Sequence, residues 1–294
     1  MPGWPEIFAS LREDGILVAD DSNARSIGGG DISSAWRIDT GADPVFVKTG
    51  GPDSLEMFEA EAEGLRELDS ANAIRVPEFL ACGVTDDSAY LAIEWISFGQ
   101  PASDTEQLFG RQLAALHRHS KDKFGWHRDN TIGRTPQHND WSEDWIEFFR
   151  DRRLGYQLQL ASKNGFGGEL QSAGKDLSES LGLLFGGYKP SASLLHGDLW
   201  GGNWAAANGQ PVIFDPAVYY GDRESDIAMT RLFGGFGPDF YAAYQAVWPM
   251  DPGYDVRLEL YQLYHVLNHL NLFGGSYFGR ATQLMRNLNQ HIAR

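Results

Sequence analysis

Residues 195–203 read Leu195-His196-Gly197-Asp198-Leu199-Trp200-Gly201-Gly202-Asn203, and Ile213-Phe214-Asp215 follow shortly after. An aspartate, an asparagine five residues on and a second aspartate are the residue types that metal-assisted phosphoryl transfer uses. Asp198 can accept the proton of an attacking hydroxyl. Asn203 and Asp215 offer oxygen donors of the kind Mg²⁺ prefers, an ion that keeps several waters and takes few protein ligands. Each residue also has a plain reading: Asp198 as a turn cap, Asp215-Pro216 as the start of a turn. Their joint occurrence carries the argument.

Local geometry brings the three together. Trp204–Ala207, Asn208-Gly209 and Gln210–Phe214 read as a β-hairpin, because Asn-Gly supplies the two positive-φ residues of a type I′ turn. A two-residue loop pairs Ala207 with Gln210. Counting outward sets Asn203 opposite Phe214, so Asn203 and Asp215 meet at the open end of the hairpin. Asp198 lies on the glycine-containing loop that enters it.

The elements that must position a substrate lie upstream. The glycines of Ile27-Gly28-Gly29-Gly30-Asp31 let backbone N–H groups approach a ligand, although most such clusters are only loops. Ile32–Ile38 and Pro44–Lys48 alternate as strands, the second with Phe46 and Lys48 on one face and Val45 and Val47 on the other. Asp53–Ser70 reads as a helix with Asp53 as N-cap and Glu56 completing a capping box. Phe58, Leu65 and Leu68 mark its inward stripe, and Glu61 falls on that stripe. A buried carboxylate needs a partner, and Lys48 is the natural one; the plain alternative is that Glu61 tilts outward at the edge of the stripe. Glu56, Glu59, Glu63 and Glu67 fall away from the stripe or at its margin, where solubility suffices to explain them.

Tyr90–Ile96 is a further apolar strand, and Ser97-Phe98-Gly99-Gln100-Pro101 breaks the pattern. The boundary between an N-terminal nucleotide-binding lobe, 1–96, and a C-terminal catalytic and substrate-binding lobe, 97–294, falls here. Beyond Asp104 the pattern is mostly helical, including Trp141–Arg153 and the segment from Arg231 onward. His117 and His119 read as structural histidines.

Composition excludes several classes. With 40 acidic against 24 basic residues and a net charge of −16, no basic face is available for nucleic acid or an anionic membrane. The 42% hydrophobic fraction and nine tryptophans support a substantial core. The single cysteine, Cys82, forms no internal disulfide and reads as a small buried residue. No signal peptide or membrane-length apolar run is visible, so a cytoplasmic location is expected. Oligomeric state is not readable, and a monomer is the simplest expectation.

Together these residues resemble the protein-kinase-like superfamily, and more closely the fructosamine (ketosamine) 3-kinase family, related to aminoglycoside and choline kinases. The resemblance runs nearly end to end. It includes Gly28–Ser33, Val45-Phe46-Val47-Lys48, Met57–Glu61, Asn130-Thr131-Ile132-Gly133 with Thr135-Pro136-Gln137, His196–Asn203, Phe214–Ala217, Tyr220–Asp226 and Leu267-Asn268-His269. It implies an α+β, two-lobed protein-kinase-like fold: a β-sheet lobe with one key helix and a larger, mainly helical lobe.

It further implies ATP and Mg²⁺ as cofactors, with Asp198 as catalytic base and Asn203 and Asp215 on magnesium. Gly28, Gly29, Gly30 and Ser33 would line the nucleotide. Lys48, paired with Glu61, would contact its phosphates, and the backbone at Glu94 and Ile96 would hold adenine. Trp200 and His269 are implied as substrate contacts. The family phosphorylates the sugar 3-hydroxyl of ketosamines, small or protein-bound glycated amines, and the unstable product leads to deglycation.

Three positions depart from the pattern: Gly201 where serine is common, Asp222 where histidine is usual, and Asp31 where some relatives carry cysteine. The alternatives are another small-molecule kinase of this fold, acting on amino alcohols, sugars or aminoglycosides, or a non-catalytic nucleotide-binding module. The second predicts loss of Lys48, Asp198, Asn203 or Asp215, and all are present. A serine/threonine protein kinase is disfavoured because the Ala-Pro-Glu docking segment is absent.

Overall fold

A computed structural model describes residues 2–19, 22–28, 33–41 and 43–294. Gly29, Gly30 and Asp31 of the glycine cluster lie outside the described residues. The N-terminal region comprises helix α1 (Trp4–Glu13), strands β1 (Ala24–Ile27), β2 (Ser34–Ile38) and β3 (Val45–Gly50), helix α2 (Leu55–Ser70), and strands β4 (Phe79–Val84) and β5 (Ala89–Glu94). The strands form one antiparallel sheet in the order β1-β2-β3-β5-β4.

Alternation along β3 sends Val45 and Val47 to one face, where they pack with Ile7, Phe8 and Leu11 of α1. Strand β5 is apolar throughout because both of its faces are covered. Tyr90 and Ala92 face α1, whereas Leu91 and Ile93 join Phe58, Leu65 and Leu68 of α2 in the main core. Helix α1, which periodicity alone did not single out, is thus a second helix of this region. The Ser10 hydroxyl meets the Tyr90 hydroxyl at 2.6 Å.

Strand ends shift by one or two residues from expectation, and two helices start later than expected. Helix α2 begins at Leu55, after a 3₁₀ turn at Pro52–Ser54, and its N-cap Ser54 makes no side-chain capping bond. Pro52 starts that turn, which leaves Asp53 inside it, so the expected capping box does not form. The helix expected over Trp141–Arg153 starts only at Trp145. Phe124 and Ser142 exchange backbone hydrogen bonds of 2.8 and 2.9 Å, which hold Ser142 extended, and the Asp144 carboxylate then caps the Glu147 N–H at 2.8 Å.

The C-terminal region continues with α3 (Thr105–His117), β6 (Ser120–Lys121), β7 (Asn130–Ile132), β8 (Thr135–Gln137), α4 (Trp145–Phe148), a π-helical turn at Phe149–Gly155, α5 (Tyr156–Lys163) and α6 (Glu169–Ser180). After these come β9 (Ala192–Leu195), β10 (Trp204–Ala207), β11 (Gln210–Ile213), β12 (Tyr219–Gly221), α7 (Glu224–Leu232), α8 (Pro238–Val247), α9 (Tyr254–Phe273) and α10 (Phe278–Ile292). The long helix α9 supplies Leu260, Leu263, Val266, Leu267 and Leu270 to the core. Among the described residues no helix is long and apolar enough to cross a membrane.

Ile7 is fully buried between α1 and the sheet. Ile7→Ala is expected to lower the unfolding free energy by about 2–5 kcal/mol in denaturant titration. A loss below about 0.5 kcal/mol would show that α1 contributes little to the folded state.

Candidate active site

The hairpin forms in the register counted from the sequence. Ala207 pairs with Gln210, Trp204 with Ile213, and the Phe214 N–H donates to the Asn203 carbonyl at 3.1 Å. Asn208 takes φ 52° as the type I′ turn requires. At the open end the Asn203 amide nitrogen donates to the Asp198 carbonyl at 2.9 Å, to Asp198 Oδ2 at 3.4 Å and to the Asp215 carbonyl at 3.4 Å. This leaves the amide oxygen of Asn203 as its donor to a cation. Asp215 sits in the left-handed region, φ 56°, which aspartate tolerates better than most residues.

The catalytic-loop candidate is braced from beneath. Asp226, near the start of α7, accepts the N–H of His196 at 2.8 Å and of Gly197 at 2.9 Å. Its carboxylate also takes the His117 ring at 3.2 Å, and the other ring nitrogen of His117 meets the Tyr244 hydroxyl at 2.8 Å. Burial holds the His117 pKa below its usual value, against the pull of Asp226. Burial also works to raise Asp226, but these donors hold it below the usual carboxylate range. Asp226 and its role were missed in the sequence, although it closes the Tyr220–Asp226 motif, whose run of five polar residues from Asp222 to Asp226 was the available signal and is wholly buried.

His196 links the loop to the second aspartate. Its Nδ1 accepts the Asp198 N–H at 3.3 Å, and its Nε2 donates to the Phe214 carbonyl at 2.9 Å. Gly197 takes φ +84°, and a Cβ there would collide with the Ala217 carbonyl. At Gly201 a Cβ would lie 3.0 Å from the Gly234 carbonyl and 3.2 Å from Gly235 Cα, so a serine there would need the Gly234-Gly235 backbone to give way slightly. Behind Asp215, Asn130 Nδ2 donates to the Val218 carbonyl at 2.7 Å and Gln137 Nε2 to the Ala217 carbonyl at 3.1 Å. This gives the Asn130–Gln137 motif a supporting function. Asp222 is buried and accepts from Tyr261 at 2.6 Å and Tyr188 at 3.1 Å.

Lys48 of β3 completes the cluster. Its ammonium lies 2.7 Å from Glu61 Oε1 and 2.6 Å from Asp215 Oδ1, across 167 residues of sequence. Burial opposes its charge, but the two carboxylates outweigh that and raise its pKa, so it stays protonated. Burial pushes Glu61 upward against the pull of Lys48. Asp198 is pushed up to about 7, first by burial and then by Asp215 and Asp226, with Asn203 opposing. Asp198 is half-buried.

The remaining predicted residues fall around this cluster. The Glu94 N–H is engaged by the Glu78 carbonyl at 2.8 Å and its carboxylate by Arg75, so its amide is not free for a ligand. Ile96 packs with Ala207, Val212 and Phe214, and the exposed Phe98 stacks on Phe214 at 5.3 Å. Gly28 and Ser33 lie on either side of residues 29–32, which are outside the described residues. Trp200, 40% exposed, meets the edge of Phe233, which stands 4.7 Å from the His269 ring. Among the described residues no three His, Cys, Asp or Glu side chains converge as a metal cage. The available oxygens of Asn203 and Asp215 suit an ion that keeps waters and shares substrate phosphates.

A basic residue from a small sheet held between a metal-type carboxylate and a helix glutamate, above a loop aspartate and asparagine, defines a protein-kinase-like phosphotransferase. The fold is shared with a solved aminoglycoside phosphotransferase (TM-score 0.62, 15% identity) and an aminopropanol kinase (TM-score 0.58, 17% identity). The fructosamine kinase family model matches residues 4–291, and the chain belongs to that family. A Synechocystis protein named a probable ketoamine kinase is 44% identical over 89% of this chain and 88% of its own length. The protein-ribulosamine 3-kinase, chloroplastic, of Oryza sativa subsp. japonica is 44% identical over 95% of this chain and 84% of its own. A crystal structure from Haemophilus somnus bearing a fructosamine-3-kinase name superposes with a TM-score of 0.88 at 29% identity, covering 97% of both chains.

Asp198 has a folded-state pKa above its unfolded value, so the folded chain binds the extra proton between about pH 4 and 7. Stability associated with this group is present below that window and lost as pH rises through it. Asp198→Asn is therefore expected to unfold at a higher temperature than the parent at pH 8, with the gap closing toward pH 4. Equal unfolding temperatures at pH 8 would show that Asp198 is not strained by its surroundings.

Proposed function

We propose that this protein is an ATP- and Mg²⁺-dependent kinase that phosphorylates the sugar 3-hydroxyl of ketosamines, small or protein-bound, and so leads to deglycation. The observation that carries the reading is Lys48 seated between Glu61 and Asp215, beside the Asp198–Asn203 pair. Family membership supplies the acceptor class. A cytoplasmic site of action is part of the proposal, as is a division between nucleotide-binding and catalytic lobes at residues 96 and 97.

In this reading Lys48 neutralises nucleotide phosphates while Glu61 fixes its direction. Gly28, Gly29, Gly30 and Ser33 line the phosphates, and the apolar group of Ile96, Ala207, Val212 and Phe214 offers a flat floor for adenine. With the Glu94 amide engaged, backbone pairing to the base falls to the carbonyl of Glu94 or to Ile96. Asn203 and Asp215 would hold Mg²⁺, which when bound neutralises charge on the phosphate oxygens. Asp198 accepts the acceptor hydroxyl's proton as that oxygen bonds to the γ-phosphorus and the bond to the ADP oxygen breaks. A base with a pKa near 7 suits this role, because a large fraction of it is ionised in neutral solution and it is basic enough to take the proton. Trp200 and His269 flank the base and orient the sugar.

Asp198→Asn is expected to keep ATP affinity within about twofold and to lose about 10²–10⁴ in kcat. Near-normal turnover would remove Asp198 from the base role. The acceptor is tested with ribulosamine, fructosamine and erythrulosamine adducts, amino alcohols and aminoglycosides, with Mg²⁺ present or chelated. Transfer confined to ketosamines and abolished by chelation is expected, and transfer only to another alcohol would overturn the acceptor assignment while keeping the kinase.

A further inference from the structure

Helix α2 carries Glu61 on one face and a second row of glutamates on another. At the spacing of one helical turn, Glu59, Glu63 and Glu67 form a stripe, which solubility alone seemed to explain. Glu63 is instead held on both oxygens: His127 Nε2 lies 2.6 Å from Oε2 and Arg128 Nη1 2.7 Å from Oε1. Arg128 also reaches Glu59 at 3.7 Å and the Glu56 carbonyl at 3.4 Å. One turn further on, Glu67 Oε1 accepts from the Tyr220 hydroxyl at 2.6 Å and from Lys121 Nζ at 3.1 Å. Between these two clamps, Gly64 sits against Pro216 and Val218.

All of these partners, Lys121, His127, Arg128, Pro216, Val218 and Tyr220, belong to the C-terminal region. Isolated surface pairs contribute little, but a network of several partly buried charges is the exception. Glu63 is 34% and Arg128 25% exposed. Burial works to raise Glu63 and Glu67, yet the hydrogen bonds from His127 and Arg128, and from Tyr220 and Lys121, hold both below the ordinary glutamate range.

We infer that the Glu63–Arg128–His127 and Glu67–Lys121–Tyr220 clusters form a latch that fastens α2 to the C-terminal region and thereby positions Glu61, and through it Lys48, toward the nucleotide phosphates. Glu63 and Arg128 are positioning residues, since neither touches Lys48. The inference rests on the nucleotide-binding reading of Lys48 but not on the identity of the acceptor.

The test is calorimetric titration of the full chain with Mg²⁺ and a non-hydrolysable ATP analogue. Glu63→Arg and Arg128→Glu are each expected to weaken binding about tenfold, and the double variant carrying both to recover most of that loss. Glu67→Gln, a milder change, is expected to weaken it about threefold. Lys175→Glu breaks an exposed pair with Glu179 on α6 and is expected to change nothing. Single variants that unfold like the parent yet bind within twofold of it, or a folded double variant that recovers nothing, would overturn the latch. A parent chain that fails to bind the analogue would overturn the nucleotide reading, and the latch with it.

Discussion

One buried ammonium organises this molecule. Lys48 draws Glu61 from α2 and Asp215 from beyond the hairpin to within hydrogen-bond distance, so three separate parts of the chain share one charge. A buried cation with a single carboxylate would recover only part of its desolvation cost. With two it stays protonated, and the β-sheet, α2 and the Asp215 segment must keep their mutual placement to preserve that balance. The apolar packing of Phe58, Leu65 and Leu68 fixes the depth of α2, and the alternation of β3 fixes the face on which Lys48 emerges.

The loop bearing Asp198 depends on a second kind of constraint, in which backbone groups are held by side chains from distant elements. Asp226 takes two consecutive amides of the loop, and His196 ties the loop to the Phe214 carbonyl. Asn130 and Gln137 do the same for the carbonyls that follow Asp215. Asp198 and Asp215 therefore sit on short irregular segments whose geometry is set by buried polar groups, an arrangement in which each member must be satisfied for the whole to hold.

What was legible in the sequence was legible for local reasons. The Asn208-Gly209 turn dictates a two-residue loop, and from that register Asn203 and Asp215 had to meet. Glu61 stood out because a carboxylate on an apolar stripe is costly, and Lys48 was the cation in reach. The same stripe logic misplaced Glu63 and Glu67, because their partners Arg128 and Tyr220 lie 65 and 153 residues away and no periodicity reports them. Asp226 escaped notice for the same reason, whereas His117, read as structural, is indeed buried and hydrogen-bonded to Tyr244 and Asp226. The helix expected from Trp141 was delayed by the Phe124–Ser142 pairing, a tertiary contact overriding local propensity. The residues proposed for the site were thus easier to bring together from the sequence than those that hold them in place.

The contact between Ser10 and Tyr90, 80 residues apart, has a consequence for how the chain is made. Helix α1 leaves the ribosome before β5, yet Val45, Val47, Tyr90 and Ala92, the surface that buries Ile7, Phe8 and Leu11, is not complete until β5 has followed it out. During that interval a short amphipathic helix has no partner and little stability of its own. Its apolar residues are then available to wrong partners, including other nascent chains. The N-terminal helix that seals the finished sheet is therefore the segment whose early protection matters most for the yield of folded protein.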